Sequence, residues 1–139
     1  MASNTQELRP RGADSEKITI NLGYVDLGHI DLLVREGFYS NRTDLIRTAI
    51  RTQLDRHADA VRQTVARKKL DLGLRHYSRA ELEAARERGE ALRINVLGLA
   101  SIAGDVTPEL ARAVIASVTV LGALHASPEV RAALADRMN

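Results

Sequence analysis

Three polar side chains at every second position, Lys17, Thr19 and Asn21, mark the part of the chain where residue type and spacing point to a chemistry. On a strand they share one face, because successive side chains point to opposite sides. A Lys ammonium suits guanine acceptors, an Asn amide can read adenine bidentately, and Thr offers a hydroxyl together with a methyl for thymine. A two-stranded ribbon carrying all three has the width of the major groove of B-form DNA. The plain rival to base reading is a solvated strand face.

A second cluster, Ser40, Asn41 and Arg42, stands where a helix is predicted to start. Free backbone amides and the positive end of the helix dipole favour an anion there, and Arg42 adds a fork of donors, so the chemistry is phosphate contact. Either Ser40 or Asn41 can cap the helix. Asn41 has Asp44 three residues on, in capping-box spacing, whereas Ser40 has only Thr43. Arg47, Arg51 and Arg56 read as solvated helix residues or intersubunit ion pairs rather than DNA contacts.

Other chemistries find little. Asp71, Glu81 and Asp105 are scattered acids, and no Ser/His/Asp grouping or phosphate loop is present. Histidines at 29, 57, 76 and 125 lack close ligand spacing, and with no Cys there are no thiolate nucleophiles, disulfides or Cys-based metal sites. His76 and His125 each follow a glycine by three residues, but a strand carrying Ser101 would separate them by nearly 10 Å. No enzyme activity, cofactor or metal is expected.

The elements that must position the polar clusters follow from periodicity. Residues 17–22 alternate polar and apolar, a half-buried strand with Ile18, Ile20 and Leu22 on its second face. From Val25 to Glu36, Leu27, Ile30, Leu33 and Val34 recur at helical spacing, and Gly37 stands where a C-terminal cap belongs. A second helix carries Leu45, Ile46, Ala49, Ile50 and Leu54 on one stripe and is expected to run past Val61 and Val65 toward Arg67. One strand and two helices cannot stand alone, since the strand has no ladder partner and so short a chain encloses too little core. Two copies pairing their strands antiparallel across a two-fold axis solve both problems. Ile18, Ile20, Leu22, Ile46 and Ile50 are then the dimer core.

Further on, Ile94-Asn95-Val96-Leu97-Gly98 resembles Val118-Thr119-Val120-Leu121-Gly122 at an offset of 24 residues. Each is followed by a capped helix start with Pro at the first helical position, Thr107-Pro108-Glu109 and Ser127-Pro128-Glu129. A degenerate third copy precedes them at Gly73 and Ser78-Arg79-Ala80-Glu81. Aligning the glycines puts Asp71 where the later copies have Val96 and Val120, so the first strand is expected out of phase or differently placed. The pattern predicts a βαβαβα repeat with parallel strands. Its end strands are adhesive and could join dimers into tetramers or arrays.

The chain has 139 residues, enough for one compact domain or two small ones. Its net charge is only +2, but residues 1–80 hold 14 bases and 10 acids while the remainder holds 6 and 8, and 17 of the 20 bases are Arg. Basic character in the first half favours a nucleic-acid partner there. Residues 1–15 read as a flexible arm in which Arg9 and Arg11 could add phosphate or minor-groove contacts. The polar start is neither a signal peptide nor an anchor, and no membrane-spanning segment is found, so a cytoplasmic protein is expected.

The order Lys17-Ile18-Thr19-Ile20-Asn21-Leu22, a helix closing at Gly37, then Phe38-Tyr39-Ser40-Asn41-Arg42-Thr43-Asp44-Leu45-Ile46-Arg47 resembles the ribbon-helix-helix family of MetJ, Arc and CopG. The resemblance spans residues 16 to about 60. It departs at the strand-to-helix turn, where Gly23-Tyr24-Val25-Asp26 replaces the Pro and acids of many CopG-like members, so the first helix could begin differently. It implies base contacts by Lys17, Thr19 and Asn21 and phosphate contacts by Ser40, Asn41 and Arg42. The expected fold is α+β: an arm (1–15), a dimeric ribbon-helix-helix unit (16–61), and a small α/β strand-helix repeat (62–139) for oligomerisation or partner contacts. The expected function is a sequence-specific DNA-binding regulator, a repressor, acting on double-stranded DNA as a homodimer or higher oligomer. An antitoxin that binds a protein toxin, and a plasmid-partition adaptor, are the alternatives.

Overall fold

A strand needs a ladder, and the segment from Lys17 to Leu22 has none among the described residues of its own chain. The computed structural model describes residues 15–139, and residues 15–23 there belong to no helix or strand. Ile18, Ile20 and Leu22 are 78%, 61% and 37% exposed. The expectation of a half-buried strand is corrected to this extent: no other strand of the same unit offers it backbone partners, so a single chain leaves both of its faces open. Arg9 and Arg11 lie outside the described residues.

The described residues fall into two compact units, one ending at Asp59 and one beginning at Ala60. In the first, helix α1 spans Tyr24–Arg35. It starts without a side-chain cap at Gly23, one residue earlier than the apolar periodicity indicates. It closes as a Schellman motif, with Gly37 at φ +86° and bonds from Gly37 N to Val34 O (3.1 Å) and Phe38 N to Leu33 O (3.0 Å). Helix α2 spans Arg42–Arg56, capped by Asn41. No residue from 15 to 59 is buried.

The second helix does not continue to Arg67. It ends at His57, whose N–H bonds the carbonyl of Leu54 (3.0 Å), a tightening to i→i−3, and a separate helix α3 follows at Ala58–Lys68. Neither Gly nor Pro marks the break.

The second unit is built from the repeat. Strand β1 (Asp71–Tyr77), helix α4 (Arg79–Glu87), strand β2 (Leu92–Ile102), helix α5 (Pro108–Val114), strand β3 (Ile115–His125) and helix α6 (Pro128–Leu134) follow in order, ending in a 3-10 turn, Ala135–Arg137. The strands form one parallel sheet in the order β1-β2-β3. Each helix begins on the hydroxyl foreseen for it: Ser78 accepts from Glu81 N (3.1 Å), Thr107 from Leu110 N (3.1 Å) and Ser127 from Val130 N (3.2 Å).

The register aligns all three copies, Asp71 with Val96 with Val120, and Gly73 with Gly98 with Gly122. Strand one is therefore in phase, contrary to expectation. Asp71 is exposed at the mouth of an edge strand, where a carboxylate stays hydrated and costs nothing. The glycine row is obligatory: all three have φ between 113° and 139°, and a Cβ on Gly98 or Gly122 would lie well inside contact distance of the carbonyl oxygen of Gly73 or Gly98.

Alternate strand residues, Ile94, Val96, Ala100 and Ile102 on β2 with Tyr77 and Val118 on its neighbours, pack under Leu82, Leu110, Ala111, Val114, Val130 and Leu134 from the helices. The C-terminus is latched onto this layer. Arg137 donates to the carbonyls of Arg112 (2.6 Å) and Ile115 (2.7 Å), Arg112 pairs with Asp136 (2.8 Å), and Asn139 N bonds Val118 O (2.9 Å) beside a parallel bridge from Met138 to Val118.

Candidate nucleic-acid interface

Lys17, Thr19 and Asn21 are all exposed, as are the apolar residues that alternate with them. The segment thus offers two opposite faces of different character. One can hydrogen-bond base edges, and the other carries three β-branched or Leu side chains whose removal from water would contribute about 25 cal/mol per Å². In the single chain Ile46 is half-buried and Ile50 is 53% exposed.

At the start of α2, Asn41 Oδ1 accepts from Asp44 N (2.8 Å), and the Asp44 carboxylate reaches back to Ser40 N (2.9 Å). Asn41 and not Ser40 is therefore the cap. The reciprocal bond goes to the residue before the cap, so the Ser40 amide is already occupied by an anion of the protein itself. The helix leaves the first-turn amides of Arg42 and Thr43 without intrahelical acceptors. A phosphate at this end would meet those two amides and would have to share the site with the Asp44 charge.

Arg42 is also engaged. Its guanidinium holds Asp31 of α1 in a fork, Nε to Oδ1 at 2.8 Å and Nη2 to Oδ2 at 2.9 Å, with both side chains about half exposed. This hydrogen-bonded pairing holds the Asp31 carboxyl below its ordinary pKa and raises that of Arg42. Asp31 is the residue that sequence reasoning missed. It lies 11 positions from Arg42, beyond the reach of i,i+4 rules, and only the Schellman turn brings α1 and α2 near enough to pair them. The signal that could have found it is its type, an acid near the end of α1 one short loop before the Arg that opens α2.

The remaining cations of α2, Arg47, Arg51 and Arg56, are exposed. The histidines do not assemble. His76 Nδ1 lies 2.7 Å from Ser101 Oγ, and the register puts Ser101 between His76 and His125, so the two rings are two strands apart. Among the described residues, no group of three His, Cys, Asp or Glu side chains could hold a metal ion. No described helix is long and apolar enough to cross a membrane.

A family model described as the ribbon-helix-helix transcriptional regulator family matches residues 13–131, reaching into both units. No curated protein and no solved structure matches.

Proposed function

The chain belongs to the ribbon-helix-helix transcriptional regulator family, whose members generally bind DNA and dimerise, and from that premise we propose that it is a sequence-specific repressor acting as a homodimer. Two copies pair residues 17–22 antiparallel, bury Ile18, Ile20 and Leu22 with Ile46 and Ile50 of both chains, and present Lys17, Thr19 and Asn21 to the major groove. Arg42, with the amides of its first turn and the Ser40 and Asn41 side chains, holds the flanking phosphate.

The single observation that carries this reading is the state of residues 17–22. They have no ladder partner among the described residues of their own chain and expose three apolar side chains, in a unit none of whose described residues is buried. A soluble chain tolerates such a segment when another copy covers it. An antitoxin is disfavoured because the second unit has a buried core, whereas antitoxin tails tend to be disordered until they bind.

The test is base preference. Thr19→Ala or Asn21→Ala should cost about 1–3 kcal/mol at the affected base pair, leaving affinity for random DNA nearly unchanged. Selection of bound sequences with the wild type and each variant reads this directly. Equal losses on selected and random DNA would remove these side chains from base reading.

A further inference from the structure

The helices α4, α5 and α6 cover one face of the parallel sheet. The other face presents Leu72 and Leu74 from β1, Leu97 and Leu99 from β2, and Leu121 and Ala123 from β3, in two rows across the strands. Leu72, Leu74 and Leu121 are 70%, 76% and 57% exposed. Helix α3 flanks one end, where Val61, Val65 and Lys68 form a shallow apolar groove of about 230 Å³ with Leu70, Leu97 and Leu121. Parallel sheets occur almost only with both faces covered, so this face is the exception that demands an occupant.

Charge narrows the choice. From Leu72 to His76, Asn95 to Ser101 and Thr119 to His125, the face holds no Asp, Glu, Lys or Arg, and Arg93 at the start of β2 is the one cation its strands place at the margin, so a single edge charge gives neither DNA nor a charged peptide a match. A surface that is apolar and neutral is complementary to itself.

Size narrows it further. Three strands about 4.8 Å apart, rising about 3.3 Å per residue, give a patch of only a few hundred Å² in plan. A freestanding complex buries roughly 800 Å² per partner. The patch is too small to hold two free chains together, but it suffices when they are already tethered, since linkage supplies an effective concentration on the order of millimolar. We infer that the leucine face of one chain packs against the same face of the second chain in the same dimer, the sheets about 10 Å apart, with the helices outward on both sides. The inference rests on the N-terminal unit being the dimerisation unit.

The absence of Cys makes the full-length chain a clean background for the test. Single cysteines are placed on the face by Leu74→Cys and Ala123→Cys, and on the outer side of α4 by Arg86→Cys as a control. Maleimide labelling rates and oxidative cross-linking are measured alongside the sedimentation mass, with and without Ile20→Asp to disrupt strand pairing. The expected result is a dimer in which both face cysteines label at least tenfold more slowly than the control and cross-link, with Ile20→Asp giving a monomer whose face cysteines label at the control rate. A dimer with fast-labelling face cysteines would overturn the inference while leaving the N-terminal dimer intact. Slow labelling that persists in the Ile20→Asp monomer would overturn it by showing that the chain covers its own face. A tetramer that Leu99→Glu reduces to a dimer would place the contact between dimers and also overturn it. A monomeric wild type would instead refute the dimerisation reading, and the inference with it.

Discussion

The two units of this chain solve the problem of a hydrophobic core in opposite ways. Residues 15–59 include Ile18, Ile20, Leu22, Ile46 and Ile50 yet bury nothing, whereas the unit from Ala60 onward seals a core in which Leu82, Ile94, Val96, Leu134 and others are fully inaccessible. The difference lies in the ladders. Strands β1, β2 and β3 find backbone partners 23 to 25 residues away in the same chain, while residues 17–22 find none among the described residues. A unit that closes its own ladder can be stable alone, whereas in the proposed dimer the first unit's stability is inseparable from protomer concentration.

The sharpest way to break this comparison is Ile20→Asp. A carboxylate placed in each copy of a pairing strand must be desolvated without a partner, at a cost of several kcal/mol per site. Dimerisation and DNA binding should fall by at least about a hundredfold, equivalent to about 2.7 kcal/mol, while the β-sheet unit keeps its melting transition. Sedimentation and a DNA titration measure the first effect and calorimetry the second. A variant that stays dimeric and binds DNA normally would take Ile20 out of the interface.

Gly98→Ala is the reciprocal cut. The positive φ of Gly98 imposes strain of about 1–3 kcal/mol on any residue with a Cβ, and the clash with the Gly73 carbonyl adds an overpacking cost of similar size. The expected outcome is loss of protected sheet amides in hydrogen exchange with dimerisation retained through residues 17–22. Unchanged exchange in β1 and β2 would mean that the glycine row is not required.

How much of this was legible depended on whether the signal was local. The three hydroxyl caps were, because Thr107 and Ser127 stand before Pro-Glu, which states both the cap and the first helical residue, and Ser78 has Glu81 in capping-box spacing. The repeat was legible from its glycines, and the same glycines set the register. The phase of β1 was not, since Asp71 breaks the apolar pattern at a position where the edge strand leaves a side chain in water. The end of α2 at His57 was equally hidden, as an amphipathic pattern runs on through Val61 and Val65 without a breaker. At the candidate interface the residues proposed for base and phosphate contact rest on type and spacing alone, whereas the Arg42–Asp31 pair depends on how a turn folds two helices together.

That pair supplies a finer test of the first unit. Arg42→Ala should weaken specific and random DNA alike and reduce the salt slope by about 1. Asp31→Asn should do the reverse, freeing the guanidinium and strengthening binding to random DNA severalfold. Salt titrations of both variants decide the matter, and an unchanged slope in Arg42→Ala would restrict Arg42 to tying α1 to α2.

The smallest expected effect compares the two units through pH. Asp31 in the first unit and Asp136 in the second both have carboxyls held below the ordinary range, each chiefly by a hydrogen bond from an Arg, Arg42 and Arg112 respectively. A carboxylate with a depressed folded pKa contributes stability that is fully present above its unfolded value, about 3.9, and is lost as pH falls through the lower folded value. Because both pairs sit in water, screening keeps each contribution small. Asp31→Asn should therefore lower the stability of the dimeric transition slightly at pH 5, and the difference from wild type should vanish as the pH is taken down past 3.9 and through the folded pKa. Asp136→Asn should give the same pattern in the transition of the sheet unit alone. Melting curves at two protein concentrations separate the transitions, since only the first depends on concentration. A deficit in Asp31→Asn that persists at the lowest pH would trace the loss to geometry rather than to the charge.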